Sequence, residues 1–467
     1  MQKKREFGIL LEKAVIGLLF EVEGDILVKY RGRQKEVIIP DGIREIGRDA
    51  FSYNRYIRRV VIPEGVQVIA GGAFSGDENL EEMVLPEGLE EIGYFAFAHC
   101  KSLAEIRIPD SVQTIGRCAF SDCSGLRNVI IPNAEISMAG DSFQGCSALA
   151  NVEGFVIVGG MLAGYYGSGG DVEIPWGVNR IGDACFSYCQ NLTSVLFPET
   201  VRTIGSLAFY GCRNLTLVCL AEGLETLGHN PFLNCEKLSK IRIPQSVKPS
   251  RNVYFHGCHA LADADGLVIV NHVLHDYVGA QEELFIPNDV RVIANGALQG
   301  KNNLQTVWIP DSVEMLGGNV FWSCRGLRRL HIPQSVTNLE DVWENLLSDC
   351  PLEILRAPGR RIKSLKPYQA AAAVGWAELA REGQTASPEV EAENIKYLKS
   401  QRKRLYPTAV RHPELLRYMI DRRLIPREDL DRLLELAEDN GEIRAMILQY
   451  SGSLASQKAT APRGPRL

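Results

Sequence analysis

The sequence predicts an α/β solenoid of about twelve 23-residue coils with a short-strand parallel sheet on its concave side, followed by an all-α C-terminal region. Three observations predict it. The pattern L-x-x-V-x-I-P-x-x-V-x-x-I-G-x-x-A-F-x-x-C, as in Leu192 to Cys212, recurs along most of the chain, and a fixed period of this length signals stacked coils. Its prolines step by 23 residues, at Pro40, Pro63, Pro86, Pro109 and Pro132, then Pro175 and Pro198, then Pro244, then Pro287, Pro310 and Pro333, with Ala221 in the proline's place once. After Pro358 the pattern stops and alanine, leucine and charge take over at helical spacing.

Each position of the coil has a physical reason. The V-x-I run suits a short strand whose alternate residues point inward, and proline then ends the ladder. Valine three residues on and isoleucine six on (Val112 and Ile115, Val201 and Ile204) continue the interior along the far side. The glycine after that isoleucine is expected to permit a turn, and the Ala-Phe pair to place one small and one large side chain inside on a helical turn. A single coil buries these groups only against its neighbours, so the array must stack. Departures at Pro132, at Pro244 and at Pro333, where Glu344 replaces phenylalanine, predict distorted coils.

This 23-residue unit resembles the treponemal-type, or BspA-like, bacterial leucine-rich repeat, over residues 23 to 358. The resemblance implies a binding scaffold and no enzyme, and it also brings in exported cell-surface adhesins as the alternative.

A second motif punctuates the array. Leu27-x-x-Tyr30-x-Gly32 returns as Leu162, Tyr165 and Gly167 and as Leu274, Tyr277 and Gly279, the last two preceded by strand-like Phe155 to Val158 and Leu267 to Val270. It predicts three blocks, with hairpin insertions near 154–174 and 266–286 protruding from the solenoid edge. Residues 1–22 are expected to cap the first coil, 359–450 to form a helical module loosely resembling ankyrin-like hairpins, and 451–467 to be a disordered tail. Helices are predicted over 366–382, 388–406, 413–423, 426–440 and 442–450, several with proline in the first turn.

Charge divides the chain. Residues 359–467 hold 20 Lys and Arg against 14 Asp and Glu, whereas the whole chain is net −6, so the array is acidic and the helices basic. This predicts that the helices dock on the array. Of twelve cysteines, eight (Cys100, Cys123, Cys146, Cys189, Cys212, Cys235, Cys258 and Cys324) share one repeat position and predict a ladder of inert thiols, while Cys118, Cys185, Cys219 and Cys350 have no evident partners. Free thiols point to a reducing compartment, and Glu12 and Lys13 interrupt the apolar stretch Phe7 to Phe20, so a cytoplasmic protein is expected, with the cell surface as alternative. No run is long enough for a membrane helix.

The chain holds no G-x-x-x-x-G-K-[ST], G-x-S-x-G or H-E-x-x-H motif, so no cofactor and no catalytic residue are expected. His256-x-Cys258-His259 with His272-x-x-His275-Asp276 invites a metal, but Cys258 belongs to the inward ladder, and no metal site is predicted. The basic run Lys396, Lys399, Arg402, Lys403 and Arg404 reads as a solvated helix face, so no nucleic acid is expected. The middle residue of V-x-I faces solvent, which gives the stripe Ile38, Val61, Val84, Arg107, Ile130, Glu173, Leu196, Cys219, Arg242, Phe285, Trp308, His331 and Arg356. Phe285, Trp308 and His331, beside Arg328, Arg329 and Arg356, form the predicted binding site for a protein or peptide partner, since aromatics and arginine dominate binding hot spots. The competing expectation is that the C-terminal helices fold back and bury these aromatics.

Overall fold

The computed structural model describes residues 18–131, 136–249, 251–252, 254–384, 387–438 and 440–459, the last five by backbone alone. It divides into two compact units, Met1–Lys248 with Tyr254–Ala262, and Pro249–Val253 with Asp263–Leu467.

In the first unit most coils contribute to two parallel ladders. The V-x-I segments make one: Glu36–Ile38, Arg59–Val61 and Glu82–Val84 pair in a register of one repeat, as do Gly170–Glu173, Leu192–Leu196, Leu217–Cys219 and Lys240–Arg242. Val37, Val60, Val195 and Val218 point in and are buried, while Ile38, Leu196 and Cys219 point out. The second ladder, on the far side of each coil, consists of two-residue strands such as Glu45–Ile46, Val68–Ile69, Glu91–Ile92 and Thr114–Ile115. Between them proline ends the first strand and opens a turn in which its own carbonyl accepts the amide three residues on, as for Pro63 with Val66 at 3.2 Å and Pro109 with Val112 at 3.2 Å.

The Ala-Phe segment differs from its expectation. It is a turn flanked by left-handed residues, Phe95 and His99 in one coil and Leu207 and Tyr188 at equivalent places in others. This geometry turns alternate amides toward the next coil: Phe95, Phe97 and His99 donate to Arg117 O, Ala119 O and Ser121 O at 2.9, 2.7 and 2.7 Å. The intervening amides of Ala96, Ala98 and Cys100 bond within their own coil. A third hydrogen-bonded ladder thus closes the coil without being a strand or a helix. Left-handed conformations cost a non-glycine residue about 1 kcal/mol or more, and the paired buried amides offset this.

Inside, the phenylalanines stack from coil to coil: Phe51–Phe74, Phe74–Phe97, Phe97–Phe120 and Phe120–Phe143 have ring centroids 4.7, 5.3, 5.1 and 4.9 Å apart. The thiols make a parallel line. Cys100, Cys123, Cys146, Cys212, Cys235 and Cys258 each donate to the carbonyl of the phenylalanine 26 residues earlier, at 3.0 to 3.2 Å. Cysteine suits the place because it is small, apolar and still carries a weak donor. All twelve cysteines are free thiols and only Cys219 is exposed.

The glycine after the isoleucine is explained by distance, and its backbone is not left-handed. A Cβ on Gly93 would lie 2.8 Å from Gly71 N, and one on Gly116 2.6 Å from Tyr94 N. Successive coils touch backbone to backbone there, so the expected conformational role is corrected to a steric one.

The hairpins do not protrude. Phe155–Val158 and Met161–Tyr165 pair antiparallel, and the latter begins the second ladder by pairing with Arg180–Ile181. The first block has the same hairpin, Phe20–Glu23 with Ile26–Tyr30, so a boundary at residue 22 cuts through it; the cap expected before Leu18 lies outside the described residues. The Leu-x-x-Tyr-x-Gly motif now has a cause. Tyr30 and Tyr165 stack on Phe51 and Phe186, each at 4.9 Å, and so continue the phenylalanine column. Glycine two residues on leaves room for the ring: a Cβ at Gly32 or Gly167 would fall 2.3 Å from the tyrosine oxygen.

The second unit repeats this plan and ends in helices. The hairpin Leu267–Val270 with Val273–Tyr277 leads into Glu283–Phe285, Thr306–Trp308, Arg329–His331 and Ile354–Arg356. The distortion expected after Pro333 is a helix, α1 (Leu339–Leu346), whose end still supplies carbonyls to the previous coil: Phe321 N donates to Leu346 O at 3.1 Å. The coil is longer for it, and Cys350 re-enters the thiol line by donating to Phe321 O at 2.9 Å, so this cysteine does have a partner. Helix α2 (Gln369–Arg381) lies on the terminal strand, with Gly375 so close that a Cβ would meet Leu355 O at 2.1 Å. Helices α3 (Pro388–Ala409), α4 (Pro413–Asp421), α5 (Leu430–Leu436) and α6 (Gly441–Ala459) follow. The tail expected from residue 451 is helical as far as Ala459. One apolar core runs from Leu267 to Tyr450, so a division at residue 359 does not separate compact bodies.

Two substitutions test this packing. Gly116→Ala places a methyl against backbone and is expected to lower the melting temperature by several degrees, whereas Gly452→Ala, in open space on α6, does not; calorimetry decides. Asp77 stands in the thiol's position, with Oδ1 accepting Asn54 N at 2.7 Å and Oδ2 buried without a partner among the described residues. Burial pushes its pKa up to about 8, against the Asn54 amide and the Lys29 cation. The folded state therefore keeps a proton that the unfolded chain loses near its usual carboxyl value of about 4, so stability is full below that and falls as pH rises toward 8. Asp77→Asn is expected to melt higher than the natural chain at pH 8 and alike at pH 4.

Candidate functional site

The site is described within the second unit. Parallel register sets Phe285, Trp308, His331 and Arg356 on successive strands. The rings of Phe285 and Trp308 are parallel with centroids 6.1 Å apart, and Trp308 and His331 are 5.4 Å apart at 39°. Phe285 is 63% exposed, which places it among the most open apolar side chains of the unit. The indole is fixed from both sides: its Nε1 donates to Glu283 Oε1 at 3.0 Å, and the Arg356 guanidinium lies 5.4 Å from its ring centre. A shallow groove of about 530 Å³ runs along these rings, with Pro287, Asn288, Pro310 and Asp311 beside them.

His331 closes the groove. Burial, and then the Arg356 cation, hold its pKa below the usual histidine value, so the ring is neutral near pH 7. Its Nδ1 is buried with no hydrogen-bond partner among the described residues.

The predicted arginines divide. Arg356 is buried and pairs with Glu378 at 3.5 Å and with both carboxylate oxygens of Glu382; it is a prop between the strand and α2, which corrects its assignment as a free partner contact. Arg329 reaches the same Glu378 at 2.9 Å. The Arg356 cation in turn holds the Glu382 carboxyl below its usual range. Arg328 stays on the surface, 3.6 Å from Glu353. Helix α2 thus covers the arginine end and leaves Phe285 open, so the competing expectation that the helices bury the aromatics fails for Phe285, while Trp308 is half-buried beside Arg356. No local sequence signal marks Glu378 or Glu382 as partners, because α2 meets the strand only after the chain folds back.

The histidine and cysteine cluster resolves into separate roles. Cys258 sits in the thiol line, and His275 and Asp276 are buried in Val273–Tyr277, Asp276 pairing with Lys301 at 3.3 Å. Burial pushes the His275 pKa down to about 3. Among the described residues no three His, Cys, Asp or Glu side chains converge as a metal site, and no helix is long and apolar enough to cross a membrane.

The profile of the BspA type leucine rich repeat region matches in six copies at residues 29–153, 165–267 and 268–353. Similar solved structures include a T. pallidum leucine rich repeat protein, 29% identical over 47% of this chain and 88% of that one, with a TM-score of 0.27. A leucine rich cell surface protein from Faecalibacterium prausnitzii A2-165 is 20% identical over 71% and 95%, with a TM-score of 0.31. A leucine-rich repeat protein from Eubacterium ventriosum ATCC 27560 is 19% identical over 67% and 85%, with a TM-score of 0.37. No curated protein matches the chain.

If Arg356 is a prop, Arg356→Ala removes its charged hydrogen bonds to Glu378 and the partly exposed Glu382 and should cost about 2 kcal/mol, whereas Phe285→Ala should leave chemical denaturation unchanged within error.

Proposed function

The chain belongs to the BspA-type leucine-rich repeat family, and on that premise we propose that it is a non-enzymatic scaffold that binds a protein or peptide on the outward face of the Phe285, Trp308 and His331 strands. Repeat solenoids of this family are generally non-enzymatic. The observation that carries the proposal is the open aromatic stack whose central indole is already held in place by Glu283 and Arg356. A rigid aromatic anchor loses little conformational freedom on binding, which is what makes tryptophan and arginine dominant at interfaces. The Asp311 and Glu283 carboxylates beside the rings suit a partner that brings a basic or hydrogen-bond-donating residue next to an apolar one.

We place the protein in the cytoplasm. The exposed thiol of Cys219 supports this, since an open thiol persists best in a reducing compartment. An exported adhesin is the alternative, and thiol titration of the protein from its native cell separates the two.

The test for the face uses a displayed random-peptide library panned on the full chain. Peptides retained by the natural protein are expected to lose at least tenfold in affinity to Trp308→Ala, about 1.4 kcal/mol or more, with the melting temperature unchanged. A fall in melting temperature with affinity intact would show Trp308 to be core and the face to lie elsewhere.

A further inference from the structure

The basic run of α3 separates into two faces. Arg402 and Lys403 turn inward to the buried Asp429, at 2.9 and 3.4 Å, which also accepts the Tyr406 hydroxyl at 2.7 Å. They are occupied in holding α3 to the segment before α5. Glu393, Asn394, Lys396, Tyr397, Ser400 and Gln401 fall on the other face at helical spacing and line one side of a cleft of about 790 Å³. Its opposite wall is the stretch Arg361 to Lys366, which contributes Arg361, Lys363 and Lys366.

The walls are clamped together by a buried group. Asn394 is 1% exposed; its Oδ1 accepts Ile362 N at 2.8 Å and its Nδ2 donates to Arg360 O at 3.1 Å. The cleft is therefore a fixed feature of the fold. The acid beside it is partly offset, because Glu393 pairs with Arg361 at 2.7 Å and Glu389 with the same guanidinium at 3.3 Å, and the three lysines leave the cleft net positive. Among the described residues, Lys363, Lys366 and Lys396 have no ion pair, and all three exposed lysines line the one cleft. Like charges gathered in a cleft repel one another and focus a positive potential, which a multivalent anion relieves. The hydroxyls of Ser364 and Ser400 already donate to Arg361 O and Tyr397 O at 2.8 Å each, so the donors the lining offers include the three lysines, the Tyr397 hydroxyl and the Gln401 amide.

We propose that the cleft between the Arg361 to Lys366 stretch and α3 binds a polyphosphorylated ligand, through Lys363, Lys366 and Lys396. Phosphate chemistry is favoured because lysine ammoniums bind phosphate oxygens as compact point charges, and two or more phosphates match three cations. A nucleic acid would need a basic stripe continuing past the cleft, and Arg402 and Lys403 are turned away from it. The site is independent of the aromatic groove.

The test titrates the full chain calorimetrically with inorganic tripolyphosphate at low salt. The expected result is saturable binding that weakens steeply as salt rises, and that falls about tenfold or more in the triple variant Lys363→Gln, Lys366→Gln and Lys396→Gln. Lys399→Gln, exposed on the same helix but outside the cleft lining, should change affinity less than about twofold. If the triple variant melts early, the three single variants replace it, each with a partial loss. A nucleoside triphosphate binding more tightly than tripolyphosphate identifies a soluble nucleotide source. Co-sedimentation with phosphatidylcholine vesicles carrying a phosphoinositide, lost in the same variants, identifies a lipid headgroup source. Absence of tripolyphosphate binding, equal binding by the triple variant, or citrate binding as tight as tripolyphosphate overturns the proposal.

Discussion

Backbone meets backbone from coil to coil, and the rest of the structure follows from keeping that contact. Two short parallel ladders and a third ladder of turn amides tie neighbouring coils together within a block, so one repeat length must be held constant wherever all three are formed. The third ladder forces left-handed backbone at Phe95 and His99, and the close approach at Gly93 and Gly116 forbids a side chain there. With the spacing fixed, identical side chains fall on top of one another. The phenylalanine column and the thiol line are consequences of that, and thiols such as Cys100 and Cys123 find the carbonyl of the phenylalanine 26 residues earlier only because the preceding coil is in register.

Much of this was legible in the sequence because it depends on period. A 23-residue repeat assigns inward and outward positions without any knowledge of the third dimension, and Val37 and Val60 inside with Ile38 and Phe285 outside follow from alternation alone. What the period could not convey was the reason for a residue. Glycine after isoleucine reads as a turn former from its chemistry, yet the determinant is the neighbouring coil's backbone at 2.6 to 2.8 Å. The Ala-Phe pair reads as helical because nothing local announces a left-handed residue on either side. Cys350 looked unpartnered since α1 lengthens its coil and shifts it out of the count.

A stacked array has two open ends, and here the ends carry the variation. Each block begins with a hairpin, and in the first two its tyrosine continues the aromatic column, with a glycine two residues on to make room for the ring. The last strand is covered instead by α2, where Gly375 allows the helix to lie on Leu355. That cover decides the candidate site. It reaches Arg356 and Arg329 with Glu378 and Glu382 and stops short of Phe285 and Trp308, so the same docking that buries one half of the predicted stripe orients the other half.

Net charge suggested that basic helices would dock on an acidic array, and the contacts run the other way. The array supplies the cations, Arg329 and Arg356, and the helix supplies the carboxylates. Local pairing at the contact therefore outweighs the sign of either half, as expected when close partly buried pairs compete with screened distant charge. It follows that docking does not consume the excess lysines of the helical region. Lys363, Lys366 and Lys396 remain facing solvent around a cleft that Asn394 holds open, and their charge is left for a ligand.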